Sequence, residues 1–255
     1  MLALVGGLLG VAVGSFASHV GMAVLGQRRV QTPICPYCGE AYRPVQWSAI
    51  SAYLTGHGRC QTCGRAIRMP YVLGEVFLGS MWAVLLGRYG ITPRVLLALV
   101  ASVPQAMLLV TDTAARLVPN RIVFPSIGAA LVVGSLVGPA VPFVEDHTWW
   151  QSLAGAAVAF ILFRLLVWLG VALLGEGALG EGDMTLATYI GAVVGFPLVL
   201  EAVLLGIIAG AIGALGMLLL KKGGLRTAMP YGPYLILGCA LTLVWGGEIL
   251  MWYLG

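Results

Sequence analysis

The chain has 255 residues, 14 Lys and Arg against 10 Asp and Glu, a formal net charge of +4 and a mean hydropathy of +0.96. Only 9% of its residues are charged and 60% are hydrophobic, whereas soluble domains carry about 25% charged residues. This excludes an ordinary soluble protein and leaves an integral membrane protein with membrane lipid, and no nucleic acid, among its expected partners.

Apolar runs lie at roughly 2–25, 70–87, 95–111, 122–144, 149–174, 184–198, 200–220 and 234–253. All but the sixth approach the roughly 17 to 25 residues that a helix needs to cross the hydrocarbon core. The sixth is slightly short and ends near Pro197. The runs are continuous, which excludes a β-barrel, whose strands alternate apolar and polar positions. The expected fold is all-α, a polytopic membrane helix bundle with about eight spans. The start, MLALVGGLLG, has no basic segment of the kind that opens a secretory signal, so the first run is expected to remain as a span. The organisation this predicts is a first span at 1–25, a loop domain at 26–69 and a seven-span core at 70–255.

Orientation follows from the basic residues. The loop after the first run holds Arg28, Arg29, Arg43, Arg59, Arg65 and Arg68, which places it in the cytoplasm by the positive-inside rule. Alternation then puts Arg116, Arg121, Lys221, Lys222 and Arg226 inside as well, with only Arg88 and Arg94 outside. Arg164 alone falls within a span, where a charge is costly and must snorkel or pair. Asp112 ends the third run and Asp183 opens the sixth, so this topology sets both at the cytoplasmic edge of the membrane.

The loop between the first two runs contains Cys35, Cys38, Cys60 and Cys63, a C-x2-C pair, twenty-one residues, and a second C-x2-C pair. That spacing suits a closed, tetrahedral, structural four-thiolate Zn2+ site. Two disulfides would be the alternative, but a cytoplasmic loop is kept reduced. Gly39 and Gly64 follow the pairs and permit the tight turn that aims backbone N–H groups at sulfur. So short a loop buries little core, and metal supplies much of its folding energy. His57 reads as a solvated loop residue and Cys239 as a small core residue.

The two aspartates each have a structural explanation. Asp183 follows glycine ahead of "MTLATYI" and can cap a helix; Asp112 can pair with Arg116 one turn later. Together on one face they suggest more, because two neighbouring carboxyls share a proton, one acting as base towards water while the other polarises a carbonyl. Gly180 and Gly182 lack side-chain bulk, so an extended substrate can approach beside Asp183.

These residues resemble a family. "GEGD" (Gly180 to Asp183) fits the GxGD signature of membrane aspartic proteases, and the chain is similar to bacterial type IV prepilin peptidases nearly end to end. "GVAVGSF" (Gly10 to Phe16), the paired cysteines, "YVLGE" (Tyr71 to Glu75), "DTAARLVPN" (Asp112 to Asn120) and "PYGPYL" (Pro230 to Leu235) stand in that family's order. The resemblance implies an endopeptidase that removes the short basic leader of prepilins or pseudopilins at the cytoplasmic face of the bacterial inner membrane. It implies Asp112 and Asp183 as catalytic residues and, as a second activity, N-methylation of the new N-terminus from S-adenosylmethionine. No glycine-rich nucleotide fingerprint after a strand accompanies that second activity. Thr185 replaces the lysine usual two positions after the GxGD aspartate, and "GSFASHVG" lacks the usual asparagine; both departures bear on substrate preference and on methylation. The rival readings are a proton-coupled transporter, whose acidic residues would sit near the midplane, and a non-enzymatic zinc-bearing assembly factor, which would give the two aspartates no joint task.

Overall fold

In the computed structural model of the chain, residues 1–27, 32–143, 148–174, 180–220 and 230–254 are described. Arg28, Arg29, Lys221, Lys222 and Arg226, which helped to orient the sequence, lie outside them. Among the described residues the fold is all-helical: α1 (Leu2–Leu25), α2 (Ala49–Leu54), α3 (Met69–Tyr89), α4 (Pro93–Ala115), α5 (Asn120–Val137), α6 (Trp150–Leu174), α7 (Glu181–Val194), α8 (Leu198–Leu219) and α9 (Gly232–Leu254). All except α2 and α7 are long and apolar enough to cross a membrane.

Seven helices therefore meet the span criteria where about eight were expected. The sixth run is the exception. Its helix, α7, has 14 residues, a length of about 21 Å against a hydrocarbon core of about 30 Å. It stops at Gly195, which takes a positive φ of 73°, just before Pro197. The fourth run is shortened for a similar reason: α5 ends at Val137, followed by Gly138 with φ 85° and then Pro139.

The chain divides into two compact units, Met1–Ile122 and Val123–Gly255. In the first, α1, α3 and α4 pack on one another. Gly14 of α1 meets the α3 backbone so closely that a Cβ there would lie 2.9 Å from the Glu75 Cα and from the Gly74 carbonyl. Small residues that let helix backbones touch are a device of helix packing in lipid, where burying apolar surface gives no drive between helices. In the second unit α7 is the inner element, packed against α6, α8 and α9, and every residue from Tyr189 to Val194 is buried. Large apolar side chains of α6, including Phe160, Leu165 and Trp168, are exposed, as a lipid-facing surface requires.

Candidate active site and metal centre

The four cysteines expected to act together are brought together. Their sulfurs all lie within 4.8 Å of one another, with Cys35 to Cys63 and Cys38 to Cys60 both at 3.7 Å. Four sulfurs held about 2.3 Å from a central ion stand about 3.8 Å apart in a tetrahedron, whereas a disulfide requires about 2.05 Å. The cysteines are free thiols, and the cluster can hold a metal ion, a geometry compatible with zinc.

Two matching turns build this cluster. Cys35 N–H donates to the Glu40 carbonyl at 2.8 Å and Gly39 N–H to the Cys35 carbonyl at 2.9 Å; Cys60 and Gly64 repeat the pattern with Arg65 and Cys60 at the same two distances. Gly39 and Gly64 sit at φ 78° and 70°, the left-handed region that glycine reaches without strain. Burial works against a Cys35 thiolate, but N–H groups of Tyr37 and Cys38 and the neighbouring thiols outweigh it and bring its pKa down to about 6. The Cys63 N–H lowers that of Cys60. For Cys38 the Glu40 N–H favours the thiolate, yet desolvation and the other three sulfurs push it up to about 12.

The loop is gripped by the helices beneath it. Glu75 of α3, 1% exposed, accepts from Ser48 Oγ at 2.8 Å and from the N–H groups of Ala49 at 2.6 Å and Ile50 at 2.8 Å, so its carboxylate closes the start of α2. From α1, Ser15 Oγ donates to the Trp47 carbonyl. The His19 Nε2 stands 3.0 Å from the same oxygen; because a carbonyl only accepts, Nε2 carries the proton. Inside the loop Gln46 Nε2 donates to the carbonyls of His57 and Arg59 at 2.9 and 2.8 Å. Sequence reasoning named Glu75 only as part of a motif and did not find His19 or Gln46. A carboxylate inside an apolar run was the available signal for Glu75.

Each aspartate is described within its own unit. Asp112, 6% exposed, lies in the last turn of α4. That helix ends with Arg116 in the left-handed conformation, φ 56°, whose backbone N–H donates to the Asp112 carbonyl at 2.7 Å. This main-chain bond links the two residues that the sequence suggested as a pair. The carbonyl of Ala114 accepts from Arg68 Nη2 at 3.2 Å.

Asp183 stands in the first turn of α7, where the register moves it from the expected N-cap to the third position of a capping box. Gly180 is the N-cap, and Asp183 is the third helical residue, its carboxylate 3.4 Å from the Gly180 N–H. A carboxylate there faces the positive end of the helix dipole. Among the described residues, a Cβ at Gly180 would come no closer than 3.7 Å, to the Asp183 carboxylate. Gly182 is the second residue of α7, and the segment 175–179 lies outside the described residues. Tyr231, just before α9, has its pKa raised by burial and by the charge of Asp183.

Fold and site together define a polytopic helical membrane protein with a four-cysteine loop able to hold a metal ion and an aspartate at a helix end in each unit. The model of the type IV leader peptidase family matches residues 99–215, and that of the bacterial Peptidase A24 N-terminal domain matches residues 8–89. The chain belongs to the type IV leader peptidase family. Among curated relatives, a prepilin leader peptidase/N-methyltransferase of Pseudomonas putida is 29% identical over 215 residues, 84% of this chain and 72% of its own length. One of Bacillus subtilis is 26% identical over 252 residues, 97% and 96% of the two chains, and one of Pseudomonas aeruginosa is 27% identical over 220 residues, 86% and 73%. No solved structure matches the chain.

Proposed function

We propose that the chain is a membrane aspartic endopeptidase that removes the short basic leader of type IV prepilins or pseudopilins, and N-methylates the new N-terminus. The observation that carries this reading is the family match over residues 99–215, which spans both Asp112 and Asp183, in a chain whose relatives are named for these two activities. In this reading the two aspartates meet at the cytoplasmic edge of the membrane. The substrate's apolar helix lies in lipid against the spans while its leader stays in the cytoplasm. Basic residues of the inner loops meet anionic headgroups there.

The dyad shares one proton. The ionised aspartate takes a proton from water as the oxygen adds to the scissile carbonyl carbon; the protonated one donates to the carbonyl oxygen, and the leaving amine departs with a proton returned by the pair. The dipole of α7 works toward the charged form of Asp183, against burial, which raises its pKa. Gly180 and Gly182 leave room for the substrate backbone. The family match and the names of the relatives favour the peptidase over a transporter.

Zinc is the metal proposed for Cys35, Cys38, Cys60 and Cys63, in a structural role, because four thiolates leave no open position for a water. S-adenosylmethionine is the methyl donor that the relatives' second activity implies. A cavity of about 200 Å³ where α1 ends, lined by His19, Met22, Pro33 and Tyr71 among others, is smaller than the roughly 300 to 1,000 Å³ of small-molecule sites. It does not fit so large a donor, and no residue is assigned to that group. Co-expression with a candidate prepilin, followed by intact-mass measurement, tests the whole reading: the product should lack its leader and carry one added methyl group. A prepilin recovered at full length would refute the peptidase assignment, and one shortened but unmethylated would refute the second activity alone.

A further inference from the structure

We propose that Arg68 is a positioning residue through which the four-cysteine loop fixes the last turn of α4, and with it Asp112. The proposal rests on the reading of Asp112 as one of the two reacting carboxylates.

Arg68 is the point where the loop hands over to α3. It is the N-cap of that helix, in extended conformation at φ −71° and ψ 136°. The residue before it, Ile67, is 3% exposed and belongs to the loop's small core with Cys35, Tyr42, Cys60 and Tyr71. Ile67 N–H donates to the Gly58 carbonyl at 2.9 Å, and its own carbonyl accepts from the Tyr53 hydroxyl at 2.5 Å. The path of the main chain into Arg68 is thus set by the fold of the loop. The loop cannot slide as a body, because Ser15 and His19 of α1 hold Trp47 and Glu75 of α3 holds the start of α2.

From this anchored position the guanidinium reaches 46 residues along the sequence to the Ala114 carbonyl, at 3.2 Å. The last carbonyls of a helix have no partner within it and form the negative end of its dipole; a cation that donates to one satisfies both needs. Asp112 precedes Ala114 by two residues, in the same turn. Its carbonyl takes the N–H of Arg116, whose left-handed conformation ends the helix. The turn that carries Asp112 is therefore held by its own C-cap and, from outside, by Arg68. A general acid or base displaced by about 1 Å loses on the order of 100-fold in rate. The loop accordingly serves cleavage without touching substrate: its metal-supported fold aims Arg68, and Arg68 aims the aspartate.

The test compares Arg68→Ala, Arg68→Lys and Asp112→Asn in the full-length protein, cleaving a purified prepilin, with bound metal measured on each sample. Arg68→Ala is expected to lower kcat roughly 10- to 100-fold with KM within about twofold, since what is lost is the placement of a reacting group and not substrate binding. Metal content should stay at the wild-type value. Arg68→Lys, which keeps the charge and a donor, should recover most of the loss, and millimolar guanidinium should partly restore Arg68→Ala. A residue that merely stabilised the fold would change yield or melting temperature and leave kcat per folded molecule intact; that result, with Asp112→Asn inactive, overturns this proposal alone. Asp112→Asn cleaving like wild type overturns the catalytic reading and the proposal with it. If Arg68→Ala does not accumulate, Arg68→Gln decides, because it retains an N–H donor without charge: a several-fold lower kcat at full metal content supports the proposal, and a wild-type kcat overturns it.

Discussion

Asp183 shows how one residue separates a structural from a chemical role. As the third residue of α7 its charge gains at most about 2 kcal/mol from the helix dipole, and its contact with Gly180 N–H, at 3.4 Å, is long. Asp183→Asn keeps shape and an acceptor oxygen, so its melting temperature should stay within a few degrees of wild type while cleavage is lost. A calorimetric scan beside an activity assay checks this; a large fall in stability would make the aspartate a fold residue. Glu75 is predicted to behave in the opposite way. Its carboxylate satisfies three donors at the start of α2, and Glu75→Ala leaves buried N–H groups unpaired at about 1 to 3 kcal/mol each. Limited proteolysis should then cut the loop at Ser48 to Leu54 faster than in wild type, and equal protection would refute the clamp. The sequence displayed both acids, but not their registers: whether an aspartate is a cap or the third helical residue depends on where the first helical hydrogen bond closes, which local composition leaves open by a few positions.

The loop is the element that the sequence revealed most completely, because the spacing of Cys35, Cys38, Cys60 and Cys63 and the glycines after each pair dictate two equal turns. Its attachment was not legible, since Ser15, His19, Arg68 and Glu75 come from separate segments that only the tertiary fold assembles. One metal ion per chain is predicted by elemental analysis of purified protein; substantially less than one equivalent, or cysteines found oxidised in the cell, would contradict the metal loop. Cys60→Ser should reduce metal content and protein yield, through folding free energy that the ion no longer supplies. The helix α7 shows the converse case. Its apolar run looked like a short span, and Gly195 and Pro197 were visible, yet only the packing against α6, α8 and α9 explains why 14 residues suffice: a helix buried in protein need not match the thickness of the bilayer.

At the scale of the whole molecule, composition alone required a polytopic helical protein. The distribution of basic residues predicts an orientation with the first loop in the cytoplasm, and a fusion test follows. A reporter active only in the cytoplasm should give signal after Arg116 and none between Arg88 and Arg94; the reverse would place Asp112 and Asp183 on the wrong side for a cytoplasmic leader. The central claim is that these two aspartates, one from each unit, act as a single catalytic pair. The most direct measurement is single-turnover cleavage of a purified prepilin by wild type, Asp112→Asn, Asp183→Asn and the double variant, each reconstituted in lipid. The account predicts loss of cleavage in each single variant and little further loss in the double one, because groups acting as a unit are not additive. Cleavage by either single variant at a rate within a few-fold of wild type would contradict it.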